Sequence, residues 1–216
     1  MTEKFLKNEQ FNFIKKQVIL IRESIKKHVP PTVLNATIDL ANAKILDLFP
    51  TAAAEQIALL DLSKLRSEGE YEQYLQQLSA CVADFPKLSE QQLKKMFPKS
   101  KKLKLPNLSN LDYSKLTYLG WNDPGSNKKY LVYELDEKMV GIECRISATG
   151  KNNICSICNS HGEVAFFSTI TKAKKQKNPD YYKAIGNLIC TDSDECNKKI
   201  TNVDYLESFL KESLGT

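Results

Sequence analysis

Histidine is nearly missing from this sequence, with only His28 and His161 among 216 residues. No serine or cysteine can therefore be matched with a credible imidazole partner, which removes the usual route to nucleophilic catalysis. Glycine is sparse too, eight residues in all, and none form a Gly-rich phosphate loop. Carboxylates are abundant but fall into no recognisable catalytic pair, so the expectation is a protein that is not an enzyme. Long apolar runs are absent. The stretch ending in Ile19-Leu20-Ile21 is too short and too broken by lysine to span a bilayer, so no membrane association is expected. The opening Met1-Thr2-Glu3-Lys4-Phe5 is charged and leads into an amphipathic pattern, not a secretory h-region. The expected location is the cytoplasm. That compartment keeps thiols reduced, so clustering among the six cysteines needs an explanation other than disulfides.

What is present is an ordinary globular balance, 42% apolar and 26% charged, which argues against wholesale disorder. The formal charge of +5 favours an acidic or ribonucleoprotein partner by long-range attraction, and equally fits a mildly basic protein with no such role. Residues 1–86 carry four amphipathic patterns. Phe5, Phe11, Ile14, Val18, Ile21 and Ile25 stripe the first, which Pro30-Pro31 stops. Val33, Ala36, Leu40, Ala43 and Leu46 or Leu48 stripe the second. Ala54, Ile57 and Leu60 belong to the third, and Tyr71, Leu75, Leu78 and Val82 to the fourth. Short connections predict an antiparallel helical bundle. Cys81 reads as a small core residue of the fourth helix.

Residues 87–112 read as a short helix capped by Ser89 followed by a basic connector, 98–106, rich in lysine and bounded by prolines. From 113 to 216 the period changes to that of an α/β domain. Strands are predicted from 116 to 121, from 130 to 133 and 140 to 146 as a hairpin turning at Asp136-Glu137-Lys138, from 164 to 170, and from 185 to 189. A helix from 203 to 214 closes the chain. Trp121 is expected in the core and Cys144 as a buried thiol on a strand.

The chemical signal is Cys155-Ser-Ile-Cys158 followed by Cys190 and Cys196. A two-residue gap lets two thiolates converge on one ion at about 2.3 Å, and the second pair leads directly into the last helical segment. A knuckle joined through a hairpin to a ligand pair at a helix start is the treble-clef arrangement. Four thiolates close a tetrahedral zinc site with no open position for water, which favours a structural role. Redox use of the Cys-x-x-Cys pair calls for a thioredoxin-like strand–helix context, and iron–sulfur ligation for tighter clustering. His161 is a possible competing ligand, though a turn histidine before Gly162 reads as exposed.

These residues carry a resemblance. Tyr118-Leu-Gly-Trp-Asn122, Asn127-Lys128-Lys129-Tyr130, Cys155-Ser-Ile-Cys158-Asn159, Ile189-Cys190-Thr-Asp-Ser193, Cys196-Asn197-Lys198 and the basic run Lys101 to Pro106 resemble the FusB-type fusidic-acid-resistance proteins, or elongation-factor-G-binding proteins. The resemblance spans the chain and is most specific in the second half. It implies an N-terminal helical bundle followed by an α/β domain with a four-cysteine treble-clef finger holding one structural Zn2+. It also implies binding to elongation factor G and its release from fusidic-acid-stalled ribosomes, which is antibiotic resistance by target protection. The ribosome would be met indirectly, by a monomer. Carried over by position, the partner contacts would be Ile154, Tyr182, Lys183 and Phe209. The family is expected to have aromatic residues where this chain has Ile154 and Leu188. From periodicity alone Phe209 reads as a residue packing the last helix onto the sheet. A lysine-rich loop, 172–178, would lie near the same surface. The rival reading is an RNA- or ribosome-binding zinc module in translation with no elongation-factor contact.

Overall fold

Helix α1, Asn8–Lys26, starts where the Gln10 side chain accepts a hydrogen bond from the backbone of Lys7 at 2.9 Å. Pro31, whose fixed φ suits a first helical position, opens α2, Pro31–Leu46. The short α3 spans Ala54–Leu60, and α4 spans Glu68–Ser79. Ser67 and Glu70 cap α4 reciprocally: the Glu70 amide donates to Ser67 Oγ at 3.4 Å and the Ser67 amide to Glu70 Oε2 at 2.7 Å. The coordinates, a computed structural model, describe residues 4–100, 102–147, 152–171 and 183–216. They form two compact units, Met1–Ala83 and Asp84–Thr216.

In the first unit Ile14, Val18 and Ile21 of α1 pack with Ile38, Ala41 and Ile45 of α2, Leu60, and Tyr71, Tyr74 and Leu78 of α4. The α2 stripe expected from the sequence is corrected here. Val33 is 49% exposed and Leu40 is exposed as well, while Ile38, Ala41 and Ile45 face inward. The sequence of α2 is apolar on nearly every side, so its periodicity offers two stripes and only packing chooses between them. The amide of Ala83 donates to the Leu6 carbonyl at 2.7 Å and that of Leu6 to the Cys81 carbonyl at 3.1 Å, joining the unit's two ends. Cys81 is buried in this core, as expected, but it lies just past the end of α4 and not within the helix.

The second unit is built on a six-stranded antiparallel sheet: β1 Leu119–Asp123, β2 Lys128–Leu135, β3 Lys138–Ser147, β4 Asn152–Ile154, β5 His161–Ile170 and β6 Ala184–Cys190. Strands β1, β2 and β3 form a meander; β4 and β3 pair with successive parts of one edge of β5, and β6 pairs with residues 164–170 along its other edge. The β2–β3 hairpin turns on Asp136 and Glu137, with φ of 49° and 61°. Two consecutive left-handed residues make the primed two-residue turn that matches strand twist.

The segment expected as a connector contributes side chains to this unit. Helix α5, Glu90–Met96, is capped by Ser89 and Gln92. Its Leu93, together with Phe97 and the half-buried Leu103 and Leu105, packs against Trp121, Tyr130 and Val132. Trp121 stacks on Tyr130 at 5.1 Å and donates its indole N–H to the Lys104 carbonyl at 2.9 Å. A larger core lies on the other face of the sheet, closed by α6, Ser193–Lys199, and α7, Asp204–Leu214.

Candidate metal centre and docking face

Three local devices deliver the four clustered cysteines. Cys155 and Cys158 sit in the turn from β4 to β5. The Asn159 amide donates to the Cys155 carbonyl at 2.8 Å and the Cys155 amide to the Ser160 carbonyl at 3.0 Å, closing the knuckle, and Asn159 takes a φ of 49°. Cys190 ends β6. Cys196 lies on α6, whose first turn is fixed by Asp192, accepting from the amides of Asp194 at 2.7 Å and Glu195 at 3.2 Å.

The four sulfurs lie within 4.8 Å of one another and all four residues are buried. Cys155 and Cys196 are 3.9 Å apart at sulfur, Cys158 and Cys190 3.7 Å. A tetrahedron with Zn–S bonds of about 2.3 Å has sulfur–sulfur edges of about 3.8 Å. The amide of Cys190 donates to Cys155 Sγ at 3.3 Å. Protons alone cannot serve all four sulfurs equally. Hydrogen bonds from Cys158, Cys190 and Cys196 draw the Cys155 thiol far below its usual range, and Cys155 in turn pushes Cys190 and Cys196 far above theirs. A divalent cation resolves that conflict by letting every sulfur be a thiolate. The donor set therefore fits one structural zinc held by Cys155, Cys158, Cys190 and Cys196, with no ligand vacancy for catalysis. His161 is exposed on β5 and is not part of the cluster.

Residues around the cluster hold it in place. Asn197, 1% exposed and directly after a ligand, accepts from the amides of Thr117 at 2.8 Å and Tyr118 at 3.1 Å and donates to the carbonyls of Tyr118 and Ser193 at 3.0 Å each. It thereby ties α6 to the approach to β1. Lys129 is fully buried on β2 beside the corner formed by Cys190 and Thr191. Burial brings its ammonium down to about 8, with Cys196 and Cys190 pulling the other way. Neither Lys129 nor Asn197 stands out in the sequence, although both fall within the segments that carry the resemblance. A lysine whose neighbours are Lys128 and Tyr130 gives no sign in one sequence that it points inward.

The expected contact residues are placed unevenly. Ile154 ends β4 beside the knuckle and is 55% exposed. Lys183 is half-exposed and pairs with Glu212 of α7. Phe209 is 5% exposed, stacked with Tyr205 at 6.1 Å and packed in the core. Tyr182 and the 172–178 loop lie outside the described residues. One exposed aromatic was not anticipated as a contact. Phe166, 41% exposed, stands opposite Leu188 across β5 and β6, and its ring lies over Gly186. The strand pattern predicted β5 but not which of Phe166 and Phe167 faces out; Phe167 is fully buried.

The comparisons with known proteins agree with this geometry. A family model described as FBP C-terminal treble-clef zinc-finger matches residues 95–212, and one described as elongation factor G-binding protein, N-terminal, matches residues 5–86. Among solved structures, that of the fusidic acid resistance protein FusC matches with a TM-score of 0.80 and 30% identity, covering 98% of each chain. No curated protein matches the chain.

Proposed function

Because this chain belongs to the family of elongation factor G-binding proteins with a C-terminal treble-clef zinc finger, we propose that it binds elongation factor G and promotes its release from ribosomes stalled by fusidic acid. Resistance then follows from protecting the target, with no chemistry on the drug, by a cytoplasmic monomer. The observation that carries this reading is the match of both halves of the chain to that family. A binding factor can shift its partner between states only by its differential affinity for them, so a rigid docking platform matters more than a reactive group. The zinc cluster supplies that rigidity, and the strands that meet it carry the exposed Ile154 and Phe166 and the half-buried Leu188.

Phe166 serves as the aromatic anchor that Leu188 does not provide, with Ile154 and Lys183 as further contacts. Phe209 acts from beneath, holding α7 against the sheet, and Tyr182 adjoins Lys183 in sequence. The test is size-exclusion co-elution of the full chain with purified elongation factor G. The unaltered chain co-elutes; Phe166→Ala loses on the order of tenfold or more in affinity, and Cys155→Ser does not bind. Failure of the unaltered chain to co-elute ends the proposal, as does tight, steeply salt-dependent binding to bare RNA instead. Mass spectrometry of fusidic acid after incubation with the chain finds it unaltered, and any change of mass would place the protein among enzymes.

A further inference from the structure

Four thiolates around one divalent ion leave a buried site with net negative charge, and burying such charge is costly unless cations or hydrogen-bond donors face it. Two donors from outside the finger meet that need. Lys129 Nζ lies 3.2 Å from the carbonyl oxygen of Cys190, 3.0 Å from that of Thr191 and 3.3 Å from Asn122 Oδ1, and 5.1 Å from the centre of the Phe167 ring. Three oxygen acceptors match the three protons of an ammonium; a neutral amine has a proton too few. Two of those acceptors belong to a ligand and to the residue after it, so the ammonium fixes the corner from which Cys190 and Cys196 reach the ion.

The second donor is Tyr118, just before β1. Its hydroxyl is buried with no hydrogen-bond partner among the described residues; Tyr118 shares the buried core with Cys155 and Cys196, and the Ser193 hydroxyl, also unpartnered, borders the same ring. A buried O–H without an acceptor is costly, and a metal-bound thiolate is an acceptor. We propose that Lys129 and Tyr118 are positioning residues of the zinc centre, an ammonium and a hydroxyl from the β1–β2 region that stabilise the thiolates and set how tightly the ion is held. Neither residue touches the ion. The finger's metal affinity is thus partly encoded about thirty residues before its first ligand.

The experiment uses the full zinc-loaded chain with Lys129→Met, Tyr118→Phe and, as a control for apolar packing within the same buried core, Leu131→Ala. Zinc transfer to a chromophoric chelator is measured on protein shown by circular dichroism to be folded. The thiolate charge-transfer band is recorded after cobalt replacement. Lys129→Met weakens zinc binding about 10- to 100-fold and Tyr118→Phe about tenfold, and both shift the cobalt band. Leu131→Ala lowers the melting temperature and leaves the band in place. Unchanged zinc retention with an unmoved band in both variants overturns the proposal. So does a band shift in Leu131→Ala as large as theirs. Should Lys129→Met fail to fold, Tyr118→Phe decides alone, since it removes one oxygen and leaves the ring.

Discussion

Replacing Asn197 with alanine should cost the second unit a large part of its stability. The side chain is 1% exposed, so water does not substitute for it. Three buried backbone groups lose its hydrogen bonds: the amides of Thr117 and Tyr118 and the carbonyl of Tyr118. At about 1 kcal/mol each the loss is about 3 kcal/mol, before any cavity term. The bond to the Ser193 carbonyl adds little, because that oxygen sits within the hydrogen-bonding pattern of α6. For a unit of this size about 3 kcal/mol lowers the melting temperature by about 10 °C. The assay is thermal unfolding of the zinc-loaded chain followed by near-ultraviolet circular dichroism, which sees Tyr118 and Trp121. Asn197→Asp separates hydrogen bonding from shape: it keeps the volume and both acceptor positions but loses the donated bonds and buries a charge near thiolates. It should be destabilised at least as much as the alanine variant. A melting temperature within about 2 °C of the parent for either variant would refute the reasoning.

Removing zinc with a strong chelator should abolish the near-ultraviolet signal of the second unit while leaving much of the far-ultraviolet helical signal of α1 to α4, since structural zinc contributes on the order of 10 kcal/mol to its own module only. Glu137→Gly should raise the melting temperature of the second unit by a few degrees: Glu137 holds a φ of 61°, a conformation that costs a residue with a side chain about 1 kcal/mol and glycine little. Asp61→Asn should destabilise the first unit at neutral pH. Burial pushes the Asp61 carboxyl up, but hydrogen bonds from the Ser63 amide at 2.8 Å, the Ser63 hydroxyl at 2.9 Å and Asn42 at 2.9 Å hold it below its usual 3.8. Its stabilising contribution is therefore present above that value and lost as pH falls through the folded-state value, so denaturation midpoints of parent and variant should converge below about pH 4.

Much of the metal centre was legible because its information is local. The gap between Cys155 and Cys158 determines that their sulfurs can converge, and the step from strand to helix at Cys190 and Cys196 determines the second pair. The β2–β3 hairpin was equally plain, its two strands flanking a polar turn. What stayed hidden depends on which way a side chain points once both faces of an element are apolar. In α2 the Val33 and Leu40 stripe and the Ile38 and Ile45 stripe compete, and only contact with α1 and α4 favours the second. In β5 adjacent phenylalanines leave alternation uninformative until β6 and the helices take one face. Lys129 follows the same logic in reverse: it is a charged residue at an inward position, and only the negative site it faces makes that position tolerable.

The placement of the cysteines also shows what zinc does for this unit. A finger that folded on its own would have its sulfurs in a satellite cluster, apart from the apolar core. Here Cys155, Cys158, Cys190 and Cys196 belong to the same buried cluster as Leu131 and Ile142 of the meander, Phe167 and Ile189 of the central strands, and Leu206, Phe209 and Leu210 of α7. The ion therefore joins elements that already share a core: the knuckle at one end of β5, the end of β6, and α6, which Asn197 fastens to the start of β1. Losing it would open a buried, charged gap within that core. The exposed Ile154 and Phe166 and the half-buried Leu188 lie on strands β4, β5 and β6, and Cys155, Cys158 and Cys190 sit at the ends of those strands. Rigidity of the metal centre and geometry of the apolar face are thus one property, so a substitution that loosens the thiolates should weaken partner binding even when every exposed side chain is unchanged.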